Sequence, residues 1–264
     1  MLEYDYHMER TYTMLLCLLT ALGVGGATIL GTAFGFPCRK ISHRFSDIVL
    51  AFAAGVMLAA AIWGLIIPAM EHSGSGGLLV TICGILAGAF CISLVDRLVP
   101  HIHKLIGWED DLNAHHFRRD RLVLFVAAMA IHNFPEGLAA GVSLGSGDYK
   151  AALLIAGGIA LQNIPEGLVT VTPMLAAGIS PRKTFLCGAA TGIIEMIGTF
   201  AGFYAVTLAS AVLPFFLAFA GGTMLFVISD EMIPETHDHG NERAATYSLL
   251  TGFCLMLVMD VVLA

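Results

Sequence analysis

The sequence predicts an all-α fold: a polytopic membrane protein of eight transmembrane helices with both termini extracytoplasmic. Three observations carry this. Of 264 residues, 57% are hydrophobic and only 12% charged, with a mean hydropathy of +0.82, whereas an average soluble domain is roughly 25% charged. Apolar runs of about 20 residues, the length that spans a bilayer, recur along the whole chain. The basic residues collect on alternate connections between those runs.

Reading the runs in order gives helices at roughly 13–35, 45–70, 77–99, 121–145, 151–177, 183–207, 211–234 and 246–264. They make up one transmembrane domain over residues 1–264. The opening MLEYDYHMER lacks the positive region of a signal peptide, and no small-residue cleavage site follows, so the first helix is expected to be retained. Among the thirteen Lys and Arg residues, Arg39, Lys40 and Arg44 follow helix 1, and Arg97, Lys104, Arg118, Arg119 and Arg121 surround the connection after helix 3. Arg182 and Lys183 follow helix 5, and Arg243 follows helix 7, leaving only Arg10 and Lys150 for the opposite side. The positive-inside rule then puts the connections after helices 1, 3, 5 and 7 in the cytoplasm.

The 29 glycines suit close helix packing, with small-xxx-small pairs at Gly84/Gly88, Gly137/Gly141 and Gly198/Gly202. The six cysteines, Cys17, Cys38, Cys83, Cys91, Cys187 and Cys254, form no C-x-x-C pair and are expected to fill the core. Two cytoplasmic connections stand out as polar: PHIHKLIGWEDDLNAHHFRRD, with His101, His103, His115 and His116, and PETHDHGNER.

Against this background five polar residues fall at mid-span: His132 and Glu136 in helix 4, Gln162 and Glu166 in helix 5, and Glu195 in helix 6. A carboxylate at the bilayer centre costs about 3 kcal/mol on insertion scales. No Lys or Arg lies near the centre of any span, so the compensating charge comes from protons or from a bound cation. Residues four apart share a helix face, which makes His132/Glu136 one polar stripe and Gln162/Glu166/Thr170 another; Asn133 shares nearly the face of Glu136. Pro135 and Pro165 have no N–H to give, which leaves the carbonyls of Ile131 and Leu161 without their usual partners. Backbone of this kind occurs at membrane depth where it lines a polar cavity. Imidazole, carboxylate and amide donors, with the Met57 thioether in helix 2, suit a divalent transition metal such as zinc better than the oxygen-only preference of calcium or magnesium. A two-metal or metal-plus-proton site follows from three glutamates.

The motifs HNFPEG (His132 to Gly137) and QNIPEG (Gln162 to Gly167), with GGTMLFVISDEMIPETH (Gly221 to His237), resemble the ZIP family, the Zrt/Irt-like divalent metal transporters, and most closely its short prokaryotic GufA-like branch. The resemblance runs over essentially the whole chain. It implies a bundle with helices 4 and 5 central and a binuclear metal centre between helices 2, 4, 5 and 6. One position would use Met57, His132, Glu136, Gln162 and Glu166. The other would use Asn133, Glu136, Asn163, Glu166 and Glu195, with the two motif glutamates bridging. Some relatives carry Asp where this chain has Asn163, so the second position here has one negative charge fewer. Glu71 and Asp260 would stand at an extracytoplasmic entrance, Asp230 and Glu231 along the exit, and the loop histidines would sense or receive metal. The resemblance further implies a bacterial cytoplasmic membrane, homodimers, and elevator-like movement, although the residues by themselves do not choose between that and rocking.

The expected function is transport of a divalent metal, Zn²⁺ foremost with Cd²⁺, Fe²⁺ and Mn²⁺ open, into the cytoplasm. The partners are then metal ions and the lipid bilayer, with no nucleic acid. A passive channel or a metal sensor would use the same ligands. An intramembrane metalloenzyme is disfavoured, because the chain contains neither H-E-x-x-H nor E-x-x-H. Asn163→Asp should tighten ion binding at the second position; unchanged affinity there in equilibrium binding counts against a two-position centre.

Overall fold

A computed structural model describes residues 2–37, 41–72, 76–98, 132–176, 178–208 and 210–263. Within them every regular element is helical. We number these helices α1 (Leu2–Gly35), α2 (His43–His72), α3 (Gly77–Leu98), α4 (residues 132–145), α5 (Tyr149–Ala176), α6 (Pro181–Leu208), α7 (Leu213–His237) and α8 (Glu242–Leu263). Among the described residues, seven helices, all but α4, are long and apolar enough to cross a membrane. The chain is a multi-pass membrane protein. The expected first half of helix 4 and the histidines His101, His103, His115 and His116 lie outside the described residues.

Two boundaries differ from the sequence reading for physical reasons. Helix α1 starts at Leu2, well before residue 13, because the polar opening is rich in strong helix formers such as Leu, Glu, Met and Arg. PETHDHGNER is mostly helix: α7 runs on to His237 and α8 starts at Glu242, leaving a tight turn in which Gly240 takes φ 79°. That turn is tied to α2. The buried Asp47 accepts from Asn241 Nδ2 at 2.9 Å and pairs with His239 Nδ1 at 3.0 Å, while the His43 ring stacks on His239.

Helices α2 and α7 share an irregularity. Each contains a π segment, Ala60–Ile66 in α2 and Ile228–Met232 in α7, directly ahead of an Ile-Pro pair. Pro68 and Pro234 cannot donate to the carbonyls of Gly64 and Asp230, and the preceding turn widens, so that Ile67 N–H bonds to Ile62 O and Ile233 N–H to Ile228 O.

Glycine sets which helices lock together. A Cβ on Gly31 would lie 2.2 Å from the Ile164 carbonyl oxygen, one on Gly192 2.4 Å from that of Gly25, and one on Gly137 2.0 Å from that of Glu195. These contacts join α1 to α5 and α6, and α4 to α6. A second set joins α2 to α8, through Gly55 against Leu249 and Gly252 against Phe52, and α3 to α7, through Gly88 against Phe219 and Gly222 against Ile85. Between the two sets the glycines meet side chains instead: Gly64 faces the end of Ile155, and Gly158 faces Met256. The glycine pairs singled out in the sequence all belong to the backbone locks. The cysteines do not follow the core expectation, since Cys17 and Cys187 are buried but Cys83, Cys91 and Cys254 are exposed. In a lipid-facing helix an exposed thiol is simply another apolar contact.

Gly137→Ala should destabilise the protein by about 1–3 kcal/mol through overpacking. Gly23→Ala, where a Cβ meets nothing within 4 Å, should be neutral or stabilising by up to about 1 kcal/mol. Thermal melts of the purified variants in detergent check both.

Candidate metal centre

Helices α4, α5 and α6 supply the polar residues. Asn133 and Glu136 on α4, Gln162, Asn163 and Glu166 on α5, and Glu195 on α6 are all buried, four of them at 0% exposure. Helix α5 continues through both Pro165 and Pro173. Glu136 interacts electrostatically with Glu166 and Glu195 and lies beside Gln162, and Glu166 interacts with His132 and Glu231. Spacing predicted the two stripes on separate helices; the fold brings them into one electrostatic unit.

Helix α1 completes the unit with groups that the sequence did not single out. Thr28 Oγ1 donates to Glu195 Oε2 at 2.8 Å. Asn163 Nδ2 donates to Glu195 Oε1 and also to the Val24 carbonyl oxygen, the latter at 3.2 Å. The lock of α1 onto α5 and α6 makes this reach possible. Thr28 lies 167 positions from Glu195, and no local pattern marks it.

Other atoms of the set stay unpaired. Both polar atoms of the Asn133 side chain, both of Gln162, Asn163 Oδ1, Glu136 Oε2 and Glu166 Oε2 are buried without a hydrogen-bond partner. Each such atom costs about 1–3 kcal/mol, and native structures hold few of them. Most of the buried unpaired polar side-chain atoms of the described residues gather here, five of the seven are oxygen or carboxylate acceptors by type or can be presented as such, and the neighbouring charges are negative. The arrangement asks for a cation.

His132 sits at the edge of this set. Its Nε2 pairs with Glu231 Oε1 at 2.8 Å. The sequence reading placed Glu231 along the exit with Asp230; the structure joins it to His132 and leaves Asp230 exposed. Successive residues of a helix project in different directions, so Glu231 can face His132 while Asp230 beside it points outward. Met57 is buried on α2, in the apolar core that also holds Ala139 of α4 and Ile159 of α5. Thr170 does not extend its stripe as a free ligand, since its hydroxyl donates to the Gly167 carbonyl oxygen at 2.8 Å. Among the described residues, no three His, Cys, Asp or Glu side chains form a group that would hold a metal unaided. The candidate centre is therefore a mixed carboxylate and amide site.

Of the two expected entrance residues, Asp260 lines a cavity of about 200 Å³ together with Trp63, Asp148 and Lys150. Glu71 is exposed and outside that lining. Asp148 was missed in the sequence. It caps α5, its Oδ1 accepting from the backbone N–H of Lys150 and Ala151 at 3.1 Å each, and an Asp just before an apolar run is the signal that could have found it.

Comparison with known proteins finds similar chains among the zinc transporters. The family model described as "ZIP Zinc transporter" matches residues 108–260. The chain is 40% identical over 249 residues to the zinc transporter GufA of Myxococcus xanthus, covering 92% of this chain and 97% of that protein. It is 36% identical over 243 residues to the zinc transporter ZIPB of Bordetella bronchiseptica, covering 90% and 78%. The zinc transporter ZupT of Chlorobaculum parvum is 32% identical over 262 residues, with 93% and 97% covered.

An ion that binds only the folded state should stabilise the protein by about 2.7 kcal/mol at a hundred times its Kd. Zinc should therefore raise the melting temperature of the full chain in detergent, and Glu136→Gln should abolish the rise.

Proposed function

This chain belongs to the ZIP family, and we propose that it carries a divalent transition metal, zinc foremost, across the membrane into the cytoplasm by alternating access. The observation that carries the reading is the cluster of buried, unpaired atoms on Asn133, Glu136, Gln162, Asn163 and Glu166. No Lys or Arg lies in the middle of a described span to neutralise it. A cation supplies at once the charge and the partners that these groups lack.

In this reading the first ion position uses Met57, His132, Glu136, Gln162 and Glu166. The second uses Asn133, Asn163 and Glu195 with the same two glutamates. An arriving ion sheds water, and Glu136 and Glu166 replace its hydration. Glu231 favours release, because it competes with the ion for His132 Nε2, the atom with which it pairs at 2.8 Å. Asp260 and Asp148, at one cavity mouth, collect ions on the extracytoplasmic side. The membrane is the bacterial cytoplasmic membrane.

The packing supports a mode of movement. Helices α1, α4, α5 and α6 are joined by backbone locks; in the second set such locks pair α2 with α8 and α3 with α7, and the two sets meet through side-chain ends such as Ile155 and Met256. Side-chain contacts exchange on sliding far more readily than interlocked backbones, so the first set carries the ion past the second. Selection of the ion rests on the nitrogen of His132 and the sulfur of Met57, which favour zinc over calcium and magnesium.

Zinc uptake into proteoliposomes should fall at least about tenfold in Glu136→Ala and in His132→Ala. Uptake at the intact rate in both sinks the site assignment. An imposed pH gradient that accelerates uptake identifies proton coupling; indifference to it identifies flow down the metal gradient alone.

A further inference from the structure

Thr28 departs from the habit of threonine in helices. Such a residue readily returns its hydroxyl to a carbonyl three or four positions back, as Thr32, Thr170, Thr191, Thr199 and Thr223 all do. The Thr28 hydroxyl crosses to another helix instead, donating to Glu195 Oε2 at 2.8 Å. One turn earlier on α1, and on the same face, the Val24 carbonyl oxygen accepts from Asn163 Nδ2 at 3.2 Å. Thr28, Asn163 and Glu195 are all buried. Helix α1 thus meets two of the three residues that belong to the second ion position alone.

What these contacts fix is direction. An amide presents oxygen on one side and N–H on the other. With Nδ2 held between Glu195 Oε1 and the Val24 carbonyl, Asn163 Oδ1 is left buried and without a donor, on the side open to an ion. Turned over, the amide would set Oδ1 against two acceptors. The Glu195 carboxylate is held at Oε2 by Thr28 and at Oε1 by Asn163, and each oxygen keeps a further lone pair for the ion. The holding groups are themselves fixed. A Cβ on Gly167 would lie 2.4 Å from the Thr28 carbonyl oxygen, and one on Gly25 2.2 Å from that of Gly192, so the backbone of α1 lies directly against α5 and α6 where Thr28 reaches across.

We propose that α1 is the outer wall of the second ion position: the Val24 carbonyl orients Asn163 and the Thr28 hydroxyl orients Glu195, both of which bind the ion directly. Thr28 is a positioning residue and acts on the ion only through Glu195. The proposal rests on the two-position reading above. It adds that the second position is tuned from α1 separately from the first, whose own residues Met57, His132 and Gln162 stand on α2, α4 and α5.

The test is equilibrium Cd²⁺ binding to the full chain in detergent. The intact chain should hold two ions. In Thr28→Val, which keeps the shape and loses the donor, affinity for one of them should fall about tenfold or more, with the other unchanged. Thr28→Ser, which loses a methyl and keeps the donor, should bind both ions as the intact chain does. A packing role for Thr28 gives the opposite order, with Ser the weaker binder. Glu195→Ala should weaken the same ion, and Thr28→Val added to it should cost nothing further. Full affinity in Thr28→Val, equal loss at both ions, Ser weaker than Val, or additive losses with Glu195→Ala each overturn the proposal. If Thr28→Val does not fold, Thr28→Ala against Thr28→Ser isolates the hydroxyl under the same criteria. A single Cd²⁺ in the intact chain overturns the two-position reading and this proposal together, whereas two ions with any of those results overturn the proposal alone.

Discussion

Three buried carboxylates with no Lys or Arg among them are the constraint on which the rest of this molecule depends. Isolated charge in a low-dielectric interior is untenable, so each group must find donors, protons or a cation. Glu195 finds donors on α1 and α5. Glu136 and Glu166 keep an unpaired oxygen each and share their surroundings with unpaired amides. The difference divides the polar set into a part that the protein satisfies by itself and a part that it does not. The second part carries the greater need for a charge or donor from outside the protein.

Close helix packing makes this division possible. Thr28 and the Val24 carbonyl reach Glu195 and Asn163 because α1 approaches α5 and α6 at backbone distance through Gly25, Gly31 and Gly192. The same approach is seen where Gly137 of α4 meets α6 at Glu195. Small residues thus do two jobs at once: they lock the helices, and they bring main-chain and hydroxyl groups within reach of a buried charge. In a membrane, where apolar surfaces gain nothing by leaving lipid for protein, such packing and polar contacts are the available sources of helix association.

The helical class and the heart of the site were legible because both depend on local pattern. His132 with Glu136, and Gln162 with Glu166, reveal themselves by a spacing of four in apolar sequence. What depends on distant parts of the chain was not legible. No periodicity connects Thr28 to a glutamate 167 residues later. Glu231 was read as a residue of the exit from its place near the end of helix 7, and its pairing with His132 of α4 is a contact between distant parts of the chain that no local pattern gives. Thr170 looked like a third member of a stripe, yet a threonine in a helix readily bonds its own backbone, as it does here with Gly167.

The contrast between interlocked and side-chain contacts also bears on how such a protein can vary. At Gly31 or Gly222 an added methyl strikes a neighbouring main chain, which cannot yield, so those positions tolerate almost no change. Along the Ile155 and Met256 boundary the opposing atoms are the ends of flexible chains, and methionine in particular adapts its shape to its neighbours. Sequence drift there leaves the architecture intact: in the sliding movement proposed above it would reset the speed across that boundary while α1, α4, α5 and α6 keep their mutual fit.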